Sequence, residues 1–338
     1  MNPVAIFTGN LVVYWSSLVI ALGIMACFAL SLSLYTAHGG KAAAVWALLP
    51  LAVFFSVVFC RAIHWYCHME QYAGFLSAFK DFSVGSYFVQ GAIFGVLLAA
   101  LLVKLMGLTD STAELLDAAA PGLALCVAFI RLSALFDSTC RSKIIIETPA
   151  LQHLPLASPM TSASGLVEYR FATFFVEFLI MLVVAVLLLR FYLRSGDRPM
   201  KGGAPAGNTA RMLLLVFSAV ELVLNSTRYD STFFHFTFLK GLNPYAGFIS
   251  FAQLIAAVSI LCILIHFSKR SVRANSLHPY HWIMWGLWLM GLAAVGVSEY
   301  MVQRHGDWYL GCYGVMSLGS ILITLIVYRM YKSCLEKE

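Results

Sequence analysis

The sequence predicts an all-α polytopic membrane bundle of eight or nine transmembrane helices, N-terminus outside and C-terminus cytoplasmic. Three observations predict it. Apolar residues make up 61% of the 338 and charged residues only 11%, whereas a soluble domain carries about 45–50% and about 25%. The mean hydropathy is +0.83. The apolar residues also gather into nine runs, most of them close to the roughly 20 residues that a helix needs to cross a bilayer. This composition excludes both a water-soluble globule and a disordered chain, which needs low hydrophobicity and high charge.

The runs come in order. The first, 11–35, has no Lys or Arg ahead of it and is longer than a signal-peptide core, so it reads as a retained span. The second covers 45–66. The third, 86–107, places Gly91 and Gly95 four residues apart, a spacing that lets two helices approach closely. The fourth, 118–136, is the weakest, because Arg131 and Asp137 interrupt its end; a short or re-entrant helix and a full crossing are both open. Further runs cover 171–193, 211–226, 246–268, 280–301 and 309–330. Between the fifth and sixth, residues 195–208 (SGDRPMKGGAPAGN) form a Gly/Pro-rich basic linker. The longest non-apolar stretch, 139–168, contains Pro149, Pro155 and Pro159, and a connection of that length is usually functional or disordered.

Charge placement sets the orientation. If all nine runs cross, one side holds 13 of the 22 Lys and Arg, mainly in short hydrophilic connections, and the other holds 9. The positive-inside rule puts the richer side in the cytoplasm, which leaves the N-terminus and the 139–168 loop outside. The net charge of +6 is too thinly spread for nucleic-acid binding. The 8 cysteines are scattered without a CxxC pair and read mostly as small buried hydrophobes.

Ionisable residues inside spans are costly and mark function by default. Here they concentrate at outer span ends: Arg61 near the end of the second run, Arg131 and Asp137 at the end of the fourth, Glu168, Arg170 and Glu177 at the start of the fifth, and Glu221, Arg228 and Asp230 in and after the sixth. Singly, each is an interfacial side chain or an internal ion pair. Together they suit a cavity for a phosphate, because the planar guanidinium fork binds oxyanions bidentately and a nearby carboxylate orients it or acts as a general base. Gln90 lies at the outer end of the third run. His64 and His68 flank Cys67 at helical spacing, but Trp65, Tyr66 and Tyr72 make that segment an aromatic belt, and no metal site is expected. There is no GxSxG, P-loop, HExxH or dinucleotide fingerprint.

Over roughly residues 10–270 the chain resembles the bacterial prolipoprotein diacylglyceryl transferase family. The segment from Glu221 through Arg228 to Asp230, followed by the Phe-Ala-Gln253 that opens another span, is similar to the family's Glu, Arg and Asp ahead of a Gln-bearing helix. Ala120-Pro-Gly, then Phe129-Ile-Arg131-Leu-Ser-Ala-Leu-Phe-Asp137, is similar to the family's A-P…GRIGNFxN signature, and Gln90-Gly-Ala-Ile-Phe-Gly95 to its His-Gly-Gly-x-x-Gly. Six family positions differ: the His is Gln90, the glycines and Asn around the signature Arg are Ile130, Ser133 and Ala134, the Tyr expected after Trp15 is Ser16, and the Arg expected one turn before Glu221 is Phe217.

The resemblance implies a multi-pass protein of the bacterial plasma membrane that moves a lipid-derived group from a phosphatidylglycerol-like phospholipid to an acceptor, such as a lipoprotein precursor, at the outer leaflet. It implies catalytic roles for Glu221, Arg228 and Asp230, contacts to the lipid phosphate and head group from Arg61, Gln90, Arg131, Asp137 and Gln253, and no cofactor. Residues 1–270 would form the transferase-like domain, and 271–338 two additional helices and a tail. Two other readings stand beside it: a catalytically silent relative that binds lipid or a protein, favoured by the altered signature, and a transporter relaying protons through Glu177 and Glu221.

Overall fold

The computed structural model describes residues 3–8, 11–80, 88–137, 139–161, 165–195, 206–230, 249–273, 279–306 and 308–335. The fold is nearly all helical, with 77% of the described residues in helices. Eleven α-helices are described: α1 (Trp15–Ala37), α2 (Ala42–Cys67), α3 (Phe75–Lys80), α4 (Gly91–Leu105), α5 (Thr112–Ser133), α6 (Pro149–Gln152), α7 (Thr173–Ser195), α8 (Asn208–Thr227), α9 (Phe251–Arg273), α10 (Pro279–Arg304) and α11 (Tyr309–Leu335). Eight of these are long and apolar enough to cross a membrane; α4 is apolar but shorter. The chain is therefore a multi-pass membrane protein.

The 118–136 run, which the sequence marks as the weakest, is a full helix. It begins early, at Thr112, because Ser111 caps it: the Ser111 hydroxyl accepts the Glu114 backbone N–H at 3.3 Å. Glu114 and Asp117 had broken the apolar pattern that would have shown this. The third run is the short helix instead. The first run is not helical throughout: Leu11–Tyr14 is a strand, β2, paired antiparallel with β1 (Val4–Thr8). The 139–168 loop holds α6 and the first strand of a second hairpin, β3 (Ala157–Thr161) with β4 (Val167–Phe171). Most of the linker expected at 195–208 lies outside the described residues.

The chain divides into two compact units, one of residues 1–213 with 227–230, the other of 214–226 with 231–338. In the first unit α1 packs on α5, α5 on α7, and α2 on α4. Small residues let the backbones meet. A Cβ on Gly95 would lie 2.3 Å from the Ser56 backbone nitrogen, and one on Gly91 2.5 Å from that of Cys60, so the GxxxG spacing here serves helix contact. Asp117 of α5 reaches a second helix: its carboxylate accepts the N–H groups of Gly207 at 2.6 Å and Ala210 at 2.8 Å. It thereby satisfies donors that the first turn of α8 leaves open. In the second unit, α10 packs on α11 and α11 on α9.

Candidate functional site

The C-terminus of α5, the N-terminus of α7 and the residues after α8 meet in the first unit, and the connection after α5 laces them together. Ser142 N–H donates to the Phe171 carbonyl at 3.0 Å, Ile146 N–H to that of Tyr169 at 2.7 Å, and Phe171 N–H to that of Ile144 at 3.0 Å, which fixes the connection against β4. On its other side Lys143 N–H donates to the Thr227 carbonyl and Tyr229 N–H to the Arg141 carbonyl, each at 2.7 Å. Ser142 and Arg228 form a bridge between the two segments. This backbone frame determines where Cys140 and Arg228 sit.

A line of charged groups follows. Arg131 is 1% exposed, and its Nε donates to Glu177 Oε1 at 2.5 Å. A buried guanidinium needs such a partner, since an unpaired buried charge is prohibitive. Arg131 Nη1 also donates to Cys140 Sγ at 3.5 Å. Arg228 donates to the same sulfur through Nη2 and to Asp230 Oδ1 through Nε at 3.3 Å. Asp230 Oδ2 in turn accepts the Cys140 backbone N–H at 3.0 Å. The order is Glu177, Arg131, Cys140, Arg228, Asp230, with two carboxylates outermost and two guanidinia converging on one sulfur.

Burial grades along this line. Arg131 and Glu177 are fully buried and Cys140 is buried, while Asp230 is 38% exposed. At the rim, Arg170 pairs with Glu168 at 2.8 Å, donates to the Ser142 carbonyl at 3.3 Å, and stacks over the exposed Tyr229 ring at 4.9 Å. Burial pushes the Cys140 thiol up, against the opposing pull of Arg228 and Arg131.

The structure thus brings Arg131, Arg228 and Asp230 together. Asp137 lies on the same connection, where its Oδ1 accepts the N–H of Thr139 at 2.8 Å and that residue's hydroxyl, a local turn contact. Arg61 is buried at the end of α2 and donates to the Ala78 carbonyl of α3. Gln90 is buried at the N-cap of α4, beside the close contact that Gly91 makes with Cys60. Glu221 and Gln253 belong to the second unit, both buried. Gln253 closes a capping box with Ser250: its Oε1 accepts the Ser250 N–H at 2.9 Å and its own N–H donates to the Ser250 hydroxyl at 3.1 Å. Its amide also donates to the Leu222 carbonyl at 3.1 Å, so its polar atoms serve the packing of α8 and α9. His64 and His68 stack on one another at 4.2 Å between ring centres, and His64 contacts the Tyr72 hydroxyl at 3.2 Å.

Residues 3–268 match the family model of prolipoprotein diacylglyceryl transferase. The chain belongs to that family. No curated protein matches it in sequence. Prolipoprotein diacylglyceryl transferases are membrane transferases of lipoprotein biosynthesis, acting on lipoprotein and phospholipid substrates. α10 and α11 lie beyond the stretch that matches the family.

Two members of the charged line are not among the catalytic and head-group residues that the resemblance implies. Glu177 was visible as an acid inside an otherwise apolar run, but its pairing with Arg131 crosses from α7 to α5 and has no local signal. Cys140 read as a small hydrophobe, although its sulfur accepts from two guanidinia.

Proposed function

We propose that this protein transfers the diacylglyceryl group of phosphatidylglycerol to the cysteine thiol of a lipoprotein precursor at the outer leaflet of the bacterial plasma membrane. The convergence of Arg131 and Arg228 on one point carries this reading. Two guanidinium forks aimed at a shared acceptor suit the phosphodiester of a lipid head group. Each is backed by a carboxylate, so the seat is preorganised before the lipid arrives.

In the reaction the acceptor sulfur attacks the glyceryl carbon next to the phosphate. The C–S bond forms as the C–O bond to phosphate breaks, glycerol phosphate leaves with the bonding pair, and the thiol proton passes to a base. Arg131 and Arg228 stabilise the charge on the departing phosphate. Asp230 positions Arg228, and Asp137 shapes the turn beside it. The resemblance implies a catalytic role for Glu221 and head-group contacts for Arg61 and Gln90; Gln253 is assigned to packing rather than to lipid. Residues 271–338 are proposed as an addition to the transferase domain. The outer-leaflet position follows from the distribution of Lys and Arg.

A second reading has one observation in its favour. Gln90 stands where the family has His, and an amide neither takes up nor gives up a proton near neutral pH, so a silent lipid-binding relative would keep the seat and lose the reaction. Purified protein in phosphatidylglycerol vesicles with a lipobox peptide separates the two. Peptide-dependent release of glycerol phosphate supports the transferase; lipid binding without release supports the silent relative.

A further inference from the structure

Cys140 is the point on which the charged line turns, and its sulfur, its backbone and its position each bear on why. Its sulfur accepts from both Arg131 and Arg228. Its backbone is left-handed, with φ at 55°, a conformation that a residue with a Cβ adopts at a cost and glycine does not. Its position is held from both sides, the N–H donating to Asp230 and the carbonyl accepting Phe174 N–H at 3.2 Å. A glycine would relieve the backbone, and what it would remove is the sulfur.

Two guanidinia close together repel, and a thiol between them is a weak acceptor. It holds the two forks converged without neutralising them. Phosphate oxygens make far stronger, charge-assisted bonds to the same donors, so a head group takes the donors over from the sulfur readily. A carboxylate at this position would instead occupy the seat permanently.

We infer that Cys140 is a positioning residue of the two-arginine seat, its sulfur a placeholder that keeps Arg131 and Arg228 aimed at the site of the lipid phosphate. The inference rests on the proposal that this seat takes a phospholipid head group.

The test uses the full-length protein in detergent, with phosphatidylglycerol binding followed by native mass spectrometry, melting followed in parallel, and donor KM and kcat wherever turnover is found. Cys140→Gly is expected to melt close to the unaltered protein, because relief of the left-handed backbone offsets the loss of a buried side chain, and yet to bind phosphatidylglycerol about tenfold more weakly, the scale of one hydrogen bond to a charged group. Cys140→Ser, which keeps an acceptor, is expected to bind within about threefold of the unaltered protein on the same reasoning. Cys140→Asp is expected to abolish binding. Where there is turnover, Cys140→Gly raises the donor KM with kcat nearly unchanged. A purely structural role would make melting and binding fall together, and that result overturns the inference. Equal lipid affinity in Cys140→Gly and the unaltered protein overturns it as well. The outcomes separate from those for the reaction: normal turnover with an unchanged donor KM in Cys140→Gly sinks the positioning role alone, and lipid binding that tracks residue 140 without any turnover sinks the reaction alone.

Discussion

Arg131 on α5 and Glu177 on α7 form an ion pair at 2.5 Å with both side chains 1% exposed. Each sits at the end of a membrane-spanning helix, where neither charge has water to fall back on. The pair ties the two helices together and holds one of the two guanidinia that face Cys140. Glu177→Ala leaves the Arg131 charge buried without this carboxylate, and the expected loss is about 3–5 kcal/mol of stability. Glu177→Gln keeps the shape and a hydrogen-bond acceptor, and should fold better than Glu177→Ala while binding phosphatidylglycerol more weakly than the unaltered protein. Melting and lipid binding measured on both variants check this.

The Cys140 thiol is held above its ordinary range by burial, with Arg228 and Arg131 pulling the other way. Only the thiolate reacts with maleimide. Labelling of Cys140 should therefore lag behind an exposed cysteine, whose pKa is about 8.5, and rise at higher pH. Below that range both states of the chain hold the proton and folding is unaffected. Above it the unfolded chain ionises first, so this group's contribution to stability falls as pH increases. Phosphatidylglycerol should slow the labelling further. Labelling as fast as that of a free thiol at pH 8.5 would show that the sulfur is neither buried nor engaged.

Gly95 fixes the approach of α4 to α2, since a Cβ there would meet the Ser56 backbone at 2.3 Å. Gly95→Ala should cost about 1–3 kcal/mol through overpacking, and Gly95→Leu more. Melting of the purified variants reads the cost directly. Gly296, around which a Cβ meets nothing within 4 Å, supplies the control: Gly296→Ala should be close to neutral.

Asp117 caps a helix that is distant in sequence, accepting from Gly207 and Ala210 at 2.6 and 2.8 Å. Asp117→Ala should cost about 0.5–2 kcal/mol, the range for losing an N-cap, and Asp117→Asn less, because one acceptor oxygen remains. Hydrogen exchange at the first turn of α8 should accelerate in Asp117→Ala and stay slow near Phe251.

The bundle was legible because lipid imposes a simple rule, long apolar runs, and the chain obeys it. What failed were the places where another force sets the boundary. Ser111 starts α5 by capping, six residues before the apolar run begins. Val4–Thr8 and Leu11–Tyr14 are too apolar to be told from the helix that follows. At the site, Arg131, Arg228 and Asp230 were visible as charges at span ends. Gln253 was visible too, but as a likeness to a family pattern, and its capping box with Ser250 follows from three-residue spacing that could have been read locally. The pairing of Arg131 with Glu177 and the meeting of two guanidinia on Cys140 depend on contacts across 46 and 88 residues of sequence, and no periodicity encodes them.

The most direct test of the proposed reaction is the mass of the acceptor. Purified protein, phosphatidylglycerol vesicles and a lipobox peptide are incubated together, and the peptide is analysed by mass spectrometry. The expected result is a peptide heavier by one diacylglyceryl group on its cysteine, formed by the unaltered protein and lost in both Arg131→Ala and Arg228→Ala. An unmodified peptide, or a modification that survives both substitutions, would contradict the assignment of this seat to lipid transfer.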